Sequence, residues 1–132
     1  MVADDHAAVR SGLRMLLDAE HGLEVVAEAG DVSTALSYVR AHRPGVLVLD
    51  LNMAGERSLP AIPSFIEASP ETRIVVLTMQ SDPAFARQAF GAGALGYVLK
   101  ETADTELVDA VLLAAAGRSY VDPELGARLI ER

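Results

Sequence analysis

Acidic, hydroxyl and cationic side chains stand where apolar runs of this sequence end. They are Asp4, Asp5, Asp50, Thr78 and Lys100. The clearest run is Val46–Leu49, four aliphatic residues that lead directly into Asp50. Apolar residues at every position are typical of a strand covered on both faces, as in a parallel sheet between helices. Because such sheets bind ligands beyond the carboxyl ends of their strands, we expect these side chains to converge on one cleft.

Each of these residues taken singly has an ordinary structural explanation. An aspartate after a strand is more often a turn former or a helix cap than a ligand. Three carboxylates within a few ångströms would repel one another, however, and a divalent cation would remove that conflict. Oxygen ligands at an open site suit Mg2+, while Thr78 and Lys100 suit phosphoryl oxygens. The pattern predicts a Mg2+-dependent phosphoryl site in which a carboxylate can be the nucleophile.

Strand and helix patterns alternate five times along the chain. The predicted strands are residues 1–3, 23–29, 46–49, 74–78 and 97–100, and the first is short against the usual five or six residues. The first predicted helix covers residues 7–20 and is closed by Gly22. The next three are predicted to begin after Asp31 or Ser33, after Ser58 and after Asp82, which would act as caps. The fifth carries an apolar stripe over residues 107–115. Residues 120–123 are predicted as a turn, with Asp122 capping a last helical piece. The alternation predicts one doubly wound α/β domain.

Composition narrows the class of protein. The chain has 132 residues, 51% of them hydrophobic, which suits a single globular domain. A formal net charge of -8 without any basic run argues against a nucleic-acid surface. The chain contains no cysteine, which excludes disulfides and thiolate metal sites. With no signal-like segment in the sequence, the expected location is the cytoplasm.

Four motifs taken together are highly specific: Ala-Asp-Asp-His at residues 3–6, Val-Leu-Asp-Leu-Asn-Met at 48–53, Val-Leu-Thr-Met at 76–79, and Gly-Ala-Leu-Gly-Tyr-Val-Leu-Lys at 93–100. With them the chain resembles the receiver domains of two-component response regulators, and among these the NarL/FixJ type. The resemblance covers nearly the whole chain, from Val2 to about Leu129. It implies a five-stranded parallel sheet of flavodoxin-like or CheY-like order 2-1-3-4-5, with helices on both faces.

The resemblance implies a role for each acidic residue. Asp50 looks like the phosphoacceptor for a phosphoryl group from a sensor histidine kinase. Asp5 resembles a direct Mg2+ ligand, and Asp4 one that acts through water. Asp50 itself and the backbone carbonyl of Asn52 match the remaining protein ligands of the metal.

The same resemblance assigns the other polar residues of the cleft. Lys100 and Thr78 match the residues that contact the incoming phosphoryl group. Thr78 and Tyr97 resemble paired switch residues, in which the hydroxyl moves toward the phosphoryl oxygen and the aromatic ring swings inward. Read without the family, Tyr97 is a half-buried strand aromatic with its hydroxyl in water, which could be its resting state.

Partners and domain boundaries follow from the resemblance as well. The chain is expected to be a phosphoacceptor that catalyses only its own phosphorylation and dephosphorylation. Residues 1–119 would form the receiver, and residues 120–132 would begin a linker helix toward an output domain absent from this chain. Phosphorylation would promote a homodimer, through helices 4 and 5 with strand 5 or through helices 1 and 5, and DNA would be bound only through the output domain.

The loop after Asp50 departs from the family pattern. Receivers commonly read Met-Pro and then Gly-Asp-Gly-like residues, whereas here Met53 is followed by Ala54 and Gly55. Ser58 is predicted to cap the third helix, and Pro63 removes a backbone donor near its start. The sequence leaves the conformation and mobility of this loop open, and we expect a late or distorted start to the third helix. His6 is predicted to pack or hydrogen-bond at the start of the first helix rather than to bind metal.

Two other classes of function remain open from the sequence. The first is a flavodoxin-like interaction module whose acidic cluster is inactive and whose action is independent of phosphorylation. The second is a phosphohydrolase that turns over external substrates through an aspartyl-phosphate. Such enzymes typically carry a second aspartate two residues after the nucleophile, and Asn52 at that position counts against this class.

Overall fold

Six parallel strands form the main sheet in the computed structural model, which describes residues 1–130. They are β1 Val2–Ala3, β2 Glu28–Ala29, β3 Val46–Leu49, β4 Arg73–Thr78, β5 Gly96–Leu99 and β6 Tyr120–Val121. Their order across the sheet is β2-β1-β3-β4-β5-β6. The order 2-1-3-4-5 expected for the first five strands is confirmed.

Helices cover both faces of this sheet. They are α1 Ala7–Asp18, α2 Val32–His42, α3 Ile62–Ala68, α4 Pro83–Ala92, α5 Ala103–Ala115 and α6 Pro123–Ile130. The two faces carry separate apolar clusters, and β3 contributes Leu47 and Leu49 to one and Val48 to the other. This alternation explains why every position of β3 is aliphatic, since both of its faces are buried. The predicted doubly wound architecture is confirmed.

Three predicted helix caps are present. The Asp31 carboxylate accepts a hydrogen bond from the backbone N–H of Thr34 at the start of α2. Asp82 accepts from the N–H of Ala84 at the start of α4, and Asp122 accepts from an N–H in the first turn of α6. Each cap supplies an acceptor to one of the helix donors that have no partner within the helix.

Three predicted elements differ from the structure. The second strand covers Glu28–Ala29 instead of residues 23–29, because the neighbouring β1 offers only two residues to pair with it. The first helix ends at Asp18, with Ala19 as its C-cap, so Gly22 lies beyond the helix and does not close it. Residues 120–121 are strand β6, which pairs with Gly96 and Tyr97, so the predicted turn was wrong.

The loop after Asp50 folds into a small antiparallel hairpin. Asn52–Met53 pairs with Glu56–Arg57, and both turn residues have positive φ, 52° at Ala54 and 78° at Gly55. Two consecutive left-handed residues are what a tight two-residue hairpin turn requires. A short 3-10 turn over Leu59–Ala61 then precedes α3, which confirms the distorted start expected from the prolines.

None of the described helices is both long and apolar enough to cross a membrane.

Gly93, the C-cap of α4, offers a test of the α4–β5 connection. Its φ is 117°, and a Cβ added there would collide with the Ile66 side chain. Gly93→Ala should therefore lower the free energy of unfolding by roughly 1–3 kcal/mol. Gly91→Ala is the matched control within α4, because its Cβ would meet no atom within 4 Å and alanine favours the helix by about 0.5–1 kcal/mol. Urea titrations of both variants would measure this, and equal midpoints would contradict it.

Candidate functional site

Backbone pairing holds two of the predicted carboxylates side by side. Asp50 follows β3 and donates its N–H to the carbonyl of Ala3, at 3.0 Å. Asp4 follows β1 and donates its N–H to the carbonyl of Ala29, at 2.9 Å. Both side chains are buried, with relative exposures of 1% for Asp4 and 6% for Asp50. The sheet thus places two carboxylates where neighbouring parallel strands end, as the sequence predicted.

Lys100 lies between these two carboxylates. Its Nζ is 2.8 Å from Asp4 Oδ2 and 3.0 Å from Asp50 Oδ2. Burial alone would lower the pKa of Lys100, but its contacts with Asp4 and Asp50 outweigh burial and raise the pKa. The lysine is therefore charged and bound to both carboxylates in this structure, whereas its residue type and position had suggested only a cation for phosphoryl oxygens.

The Asp50 carboxyl is held in a partly desolvated position. Burial raises its pKa, while the Lys100 ammonium and the backbone N–H of Asn52, 3.2 Å from Oδ1, act in the opposite direction. The nearby Asp4 charge adds to the increase. The balance leaves the pKa of Asp50 above its usual value, so its ionised form is costly in the folded chain.

Asp5 is held by the hairpin. Its Oδ2 accepts a hydrogen bond from the backbone N–H of Ala54 at 3.0 Å, and this bond lowers the pKa of Asp5. His6 is at the N-cap position of α1, with Nδ1 2.9 Å from Asp5 Oδ1 and 70% of its side chain exposed. The contact between Ala54 and Asp5 could not be found from residue types, since its donor is a backbone group presented by the turn.

Ser58 has a different role from the predicted helix cap. Its side chain makes no capping hydrogen bond, and its hydroxyl donates instead to the backbone carbonyl of Asp50. Ser58 is fully buried, and its hydrogen bond fixes the backbone carbonyl of Asp50, the candidate nucleophile. The prediction of a cap at Ser58 was wrong because the hairpin turns the chain back under β3 before the helix begins.

The acidic cluster has the donor chemistry of a cation site. Asp4, Asp5 and His6 could each offer one ligand atom within 4.8 Å of the others. Asp4 Oδ2 and Asp5 Oδ1 are shielded from solvent, and the basic groups beside them are Lys100 Nζ at 2.8 Å and His6 Nδ1 at 2.9 Å, respectively. Clustered carboxylate oxygens suit a hard divalent cation, and the residues present fit Mg2+. Asn52 lies on the exposed side of the hairpin next to Asp50.

Thr78 and Tyr97 meet at the backbone of Gln80. Thr78 is 2% exposed, and its Oγ1 accepts a hydrogen bond from the N–H of Gln80 at 3.2 Å. The Tyr97 hydroxyl donates to the carbonyl of Gln80 at 2.7 Å. Burial, with the charge of Asp82, raises the pKa of Tyr97 to about 12.

The alternative in which the Tyr97 hydroxyl lies in water is wrong for this structure. The Tyr97 ring is fully buried and tilts against Phe90 of α4, with ring centroids 6.5 Å apart. The ring is therefore already inward. Gln80, which the sequence does not link to the site, joins Thr78 to Tyr97 through its backbone. Only its backbone takes part, so its side chain carried no signal.

Comparisons with known proteins find relatives of this chain over most of its length. Residues 1–112 match the family described as "Response regulator receiver domain". The chain is 43% identical over 131 residues to the oxygen regulatory protein NreC of Staphylococcus epidermidis, covering 98% of this chain and 60% of that protein. This chain therefore spans about 60% of the length of that curated relative.

Two solved structures are similar over nearly the whole chain. One is a LuxR-family two-component response regulator from Aurantimonas sp. SI85-9A1, with 37% identity, a TM-score of 0.94, and coverage of 99% of this chain and 94% of that one. The other is the isolated REC domain of RcsB from Salmonella enterica serovar Typhimurium in the presence of phosphomimetic BeF3-. It has 31% identity and a TM-score of 0.87, covering 98% and 96%.

Asp50→Asn tests the cost of the buried charge. Because the folded-state pKa of Asp50 lies above its unfolded value, ionisation costs stability at neutral pH, and the cost disappears as the pH falls through the folded pKa. The amide removes the charge with little change of shape. We expect Asp50→Asn to raise the free energy of unfolding at pH 7 by about 1 kcal/mol, the scale of a single substitution.

The measurement is a series of urea titrations of both proteins from pH 7 to pH 4. The gap between them should narrow as the pH falls, since the wild-type carboxyl then becomes neutral. A variant that is less stable than the wild type at pH 7 would show that the ion pair with Lys100 outweighs the burial of Asp50.

Proposed function

This chain belongs to the response regulator receiver domain family, and on that premise we propose that Asp50 accepts a phosphoryl group from a phosphohistidine of a sensor kinase. The bond between the histidine nitrogen and phosphorus breaks as a bond from an Asp50 carboxylate oxygen to phosphorus forms. The observation that carries this proposal is the buried Asp50, whose backbone N–H and C=O are both hydrogen-bonded and whose Oδ2 is ion-paired with Lys100.

The acidic cluster would hold Mg2+ during this transfer. Asp5 is the direct ligand in this proposal, Asp4 acts through water, and Asp50 with the Asn52 carbonyl completes the protein ligands. When bound, Mg2+ supplies positive charge for the phosphoryl oxygens. The clustering of Asp4 and Asp5 oxygens, two of which are shielded from solvent, supports this assignment.

Lys100 has two tasks in the proposed reaction. Before transfer, its ammonium stabilises the ionised form of Asp50, which is the nucleophilic form. As the phosphoryl group arrives, Lys100 shifts its contact from the Asp50 carboxylate to a phosphoryl oxygen, which carries more negative charge. Thr78 contributes its hydroxyl as a hydrogen-bond donor to another oxygen of the same group.

The switch is proposed to operate through Gln80. When the Thr78 hydroxyl turns toward the phosphoryl group, the N–H of Gln80 loses its acceptor, while the Gln80 carbonyl remains bound to Tyr97. The segment between β4 and α4 would therefore move as a unit with Tyr97. Because Tyr97 is already inward in this structure, the expected change is a shift in population between related states of this segment rather than a large swing of the ring.

Residues 120–132 are proposed to carry this change toward an output domain. α6 packs against α4, and Arg128 donates to the carbonyl of Ser81 at 3.2 Å, one residue after Gln80. Arg87 of α4 also donates to the carbonyl of Leu129, at 3.4 Å. A change at Gln80 thus has a route of hydrogen bonds into α6. We infer control of a homodimer and of a DNA-binding output domain, in a cytoplasmic regulator of transcription.

Intact-mass measurement tests the phosphoacceptor. Incubation with Mg2+ and acetyl phosphate should add the mass of one phosphoryl group to the wild type, and chelation of the metal should abolish the addition. Asp50→Asn should gain nothing. Asp109→Asn, on the exposed face of α5, is the matched control and should be modified like the wild type.

Two outcomes would overturn the proposal. Equal mass gain by Asp50→Asn would place the acceptor elsewhere, and no gain by any protein would favour an interaction module independent of phosphorylation. Steady release of phosphate from an external phosphomonoester would instead indicate a phosphohydrolase.

Hydrogen exchange tests the route through α6. Adding BeF3- with Mg2+ should change the exchange rates of α6 amides in the wild type, because the Ser81 carbonyl shifts. Arg128→Ala should retain the mass gain at Asp50 but lose most of this change in α6, whereas the exposed control Arg118→Ala should behave like the wild type. An undiminished response in Arg128→Ala would show that the signal leaves by another element.

A further inference from the structure

The backbone carbonyl of Asp4 is held by a side chain of α1. Asp4 and Asp5 are consecutive, so the planar peptide that joins them sets where the Asp5 carboxylate lies relative to that of Asp4. The carbonyl oxygen of this peptide accepts a hydrogen bond from Arg10 Nη1 at 2.6 Å. The N–H of Asp4 is bound to the carbonyl of Ala29 at 2.9 Å. Both backbone groups of Asp4 are therefore held, one by the sheet and one by Arg10.

The Arg10 guanidinium is itself held by β2. Its Nε lies 3.5 Å from the carboxylate of Glu28, and the side chains of Arg10 and Glu28 are only 22% and 25% exposed. A guanidinium can bind a carboxylate and a carbonyl at once, because it carries five N–H donors in a rigid, planar arrangement. Arg10 thus connects α1, the end of β1 and β2 at the first residue of the acidic cluster.

The space beside Gly30 is occupied by the same guanidinium. A Cβ added at Gly30 would lie 3.2 Å from Arg10 Nη1 and 3.9 Å from the carbonyl oxygen of Asp4. A side chain at this position would therefore push the end of Arg10 away from Asp4. Glycine, which directly follows β2, leaves room for the contact between Arg10 and Asp4.

Arg14, one helical turn further along α1, has different contacts. It also donates to the Glu28 carboxylate, at 2.5 Å, but its Nη2 donates to the carbonyl of Val25 at 3.3 Å. Its side chain is 48% exposed, about twice the fraction for Arg10. The two arginines share one acidic partner, and Arg10 is the one of the two that contacts the acidic cluster.

We propose that Arg10 is a positioning residue for the acidic cluster, because it holds the peptide between Asp4 and Asp5. The inference rests on the proposed function, in which this cluster binds Mg2+. Arg10 acts through geometry rather than charge, since its positive charge is paired with Glu28. The N–H of Ala54 holds the Asp5 carboxylate, and Arg10 holds the backbone from which that carboxylate extends. Partners that orient metal ligands in this way typically change metal affinity by about 10–100-fold.

Calorimetric titration of the 132-residue chain with Mg2+ tests this role. Arg10→Met keeps an aliphatic side chain for packing and removes the donors, so it should weaken Mg2+ binding by about tenfold. Arg14→Met is the matched control, because it removes a guanidinium from the same Glu28 carboxylate without removing a contact to Asp4. It should bind Mg2+ like the wild type. Gly30→Ala leaves every charge in place, and its Mg2+ affinity should lie between those of the two arginine variants.

Phosphorylation by acetyl phosphate distinguishes positioning from damage to the fold. Arg10→Met should need about tenfold more Mg2+ than the wild type to reach half of its maximal mass gain. Its maximum should nevertheless equal that of the wild type when Mg2+ is in excess, because the acceptor and Lys100 are unchanged. Damage to the fold would lower the maximum itself, and excess Mg2+ would not restore it.

The outcomes separate this inference from the proposed function. Equal Mg2+ affinities of Arg10→Met and Arg14→Met would overturn the positioning role and leave the proposed function intact, as would a loss of maximal phosphorylation in Arg10→Met that excess Mg2+ does not restore. Failure of the wild type to bind Mg2+ would overturn the proposed function, and this inference with it. If Arg10→Met does not fold, Gly30→Ala decides the question, and wild-type Mg2+ affinity in that variant would overturn the positioning role.

Discussion

One ammonium group between two buried carboxylates constrains most of the site. Lys100 Nζ contacts Asp4 and Asp50 at 2.8 and 3.0 Å, and neither carboxylate is accessible enough to be stabilised by water alone. A buried charge without a partner is strongly destabilising, so the three residues have to be placed together. β1, β3 and β5 must end at the same level for this contact to form. The adjacency of β1 and β3, and the position of β5 one strand beyond β4, are the features that satisfy it.

The strand ends were predictable because a strand buried on both faces appears in the sequence as an uninterrupted run of apolar residues. A strand such as Val46–Leu49 needs apolar residues at every position, and the first polar residue after it marks the end of the sheet. The cap residues Asp31, Asp82 and Asp122 were predictable for a similar reason, since each supplies its own acceptor within a few residues. The predictable features, the strand ends and the helix caps, depend either on burial or on contacts between residues close together in the sequence.

The parts that could not be predicted depend on backbone groups brought from far along the chain. The N–H that fixes Asp5 belongs to Ala54, and the carbonyl that receives the Ser58 hydroxyl belongs to Asp50. Backbone donors and acceptors are the same in every residue, so no residue type marks these contacts. Strand β6 was missed because a two-residue strand, Tyr120–Val121, has no periodicity to detect. Residues 23–26 have the composition of a strand, but the paired residues of β2 are only Glu28 and Ala29, so composition alone predicts too long a strand here.

The net negative charge of the site explains why it would bind a cation. Three carboxylates, Asp4, Asp5 and Asp50, share one lysine, which leaves about two negative charges at the edge of the sheet if all are ionised. In the proposed transfer, an incoming phosphoryl group would add further negative charge at the same place. Lys100 cannot neutralise both, since its ammonium is already committed to Asp4 and Asp50. The charge of a divalent cation is equal in size to this surplus and opposite in sign, so a bound cation would leave Lys100 free to contact a phosphoryl oxygen. The ion pair holds the three residues together, and in the proposed transfer its exchange of partners would be the first event of the switch.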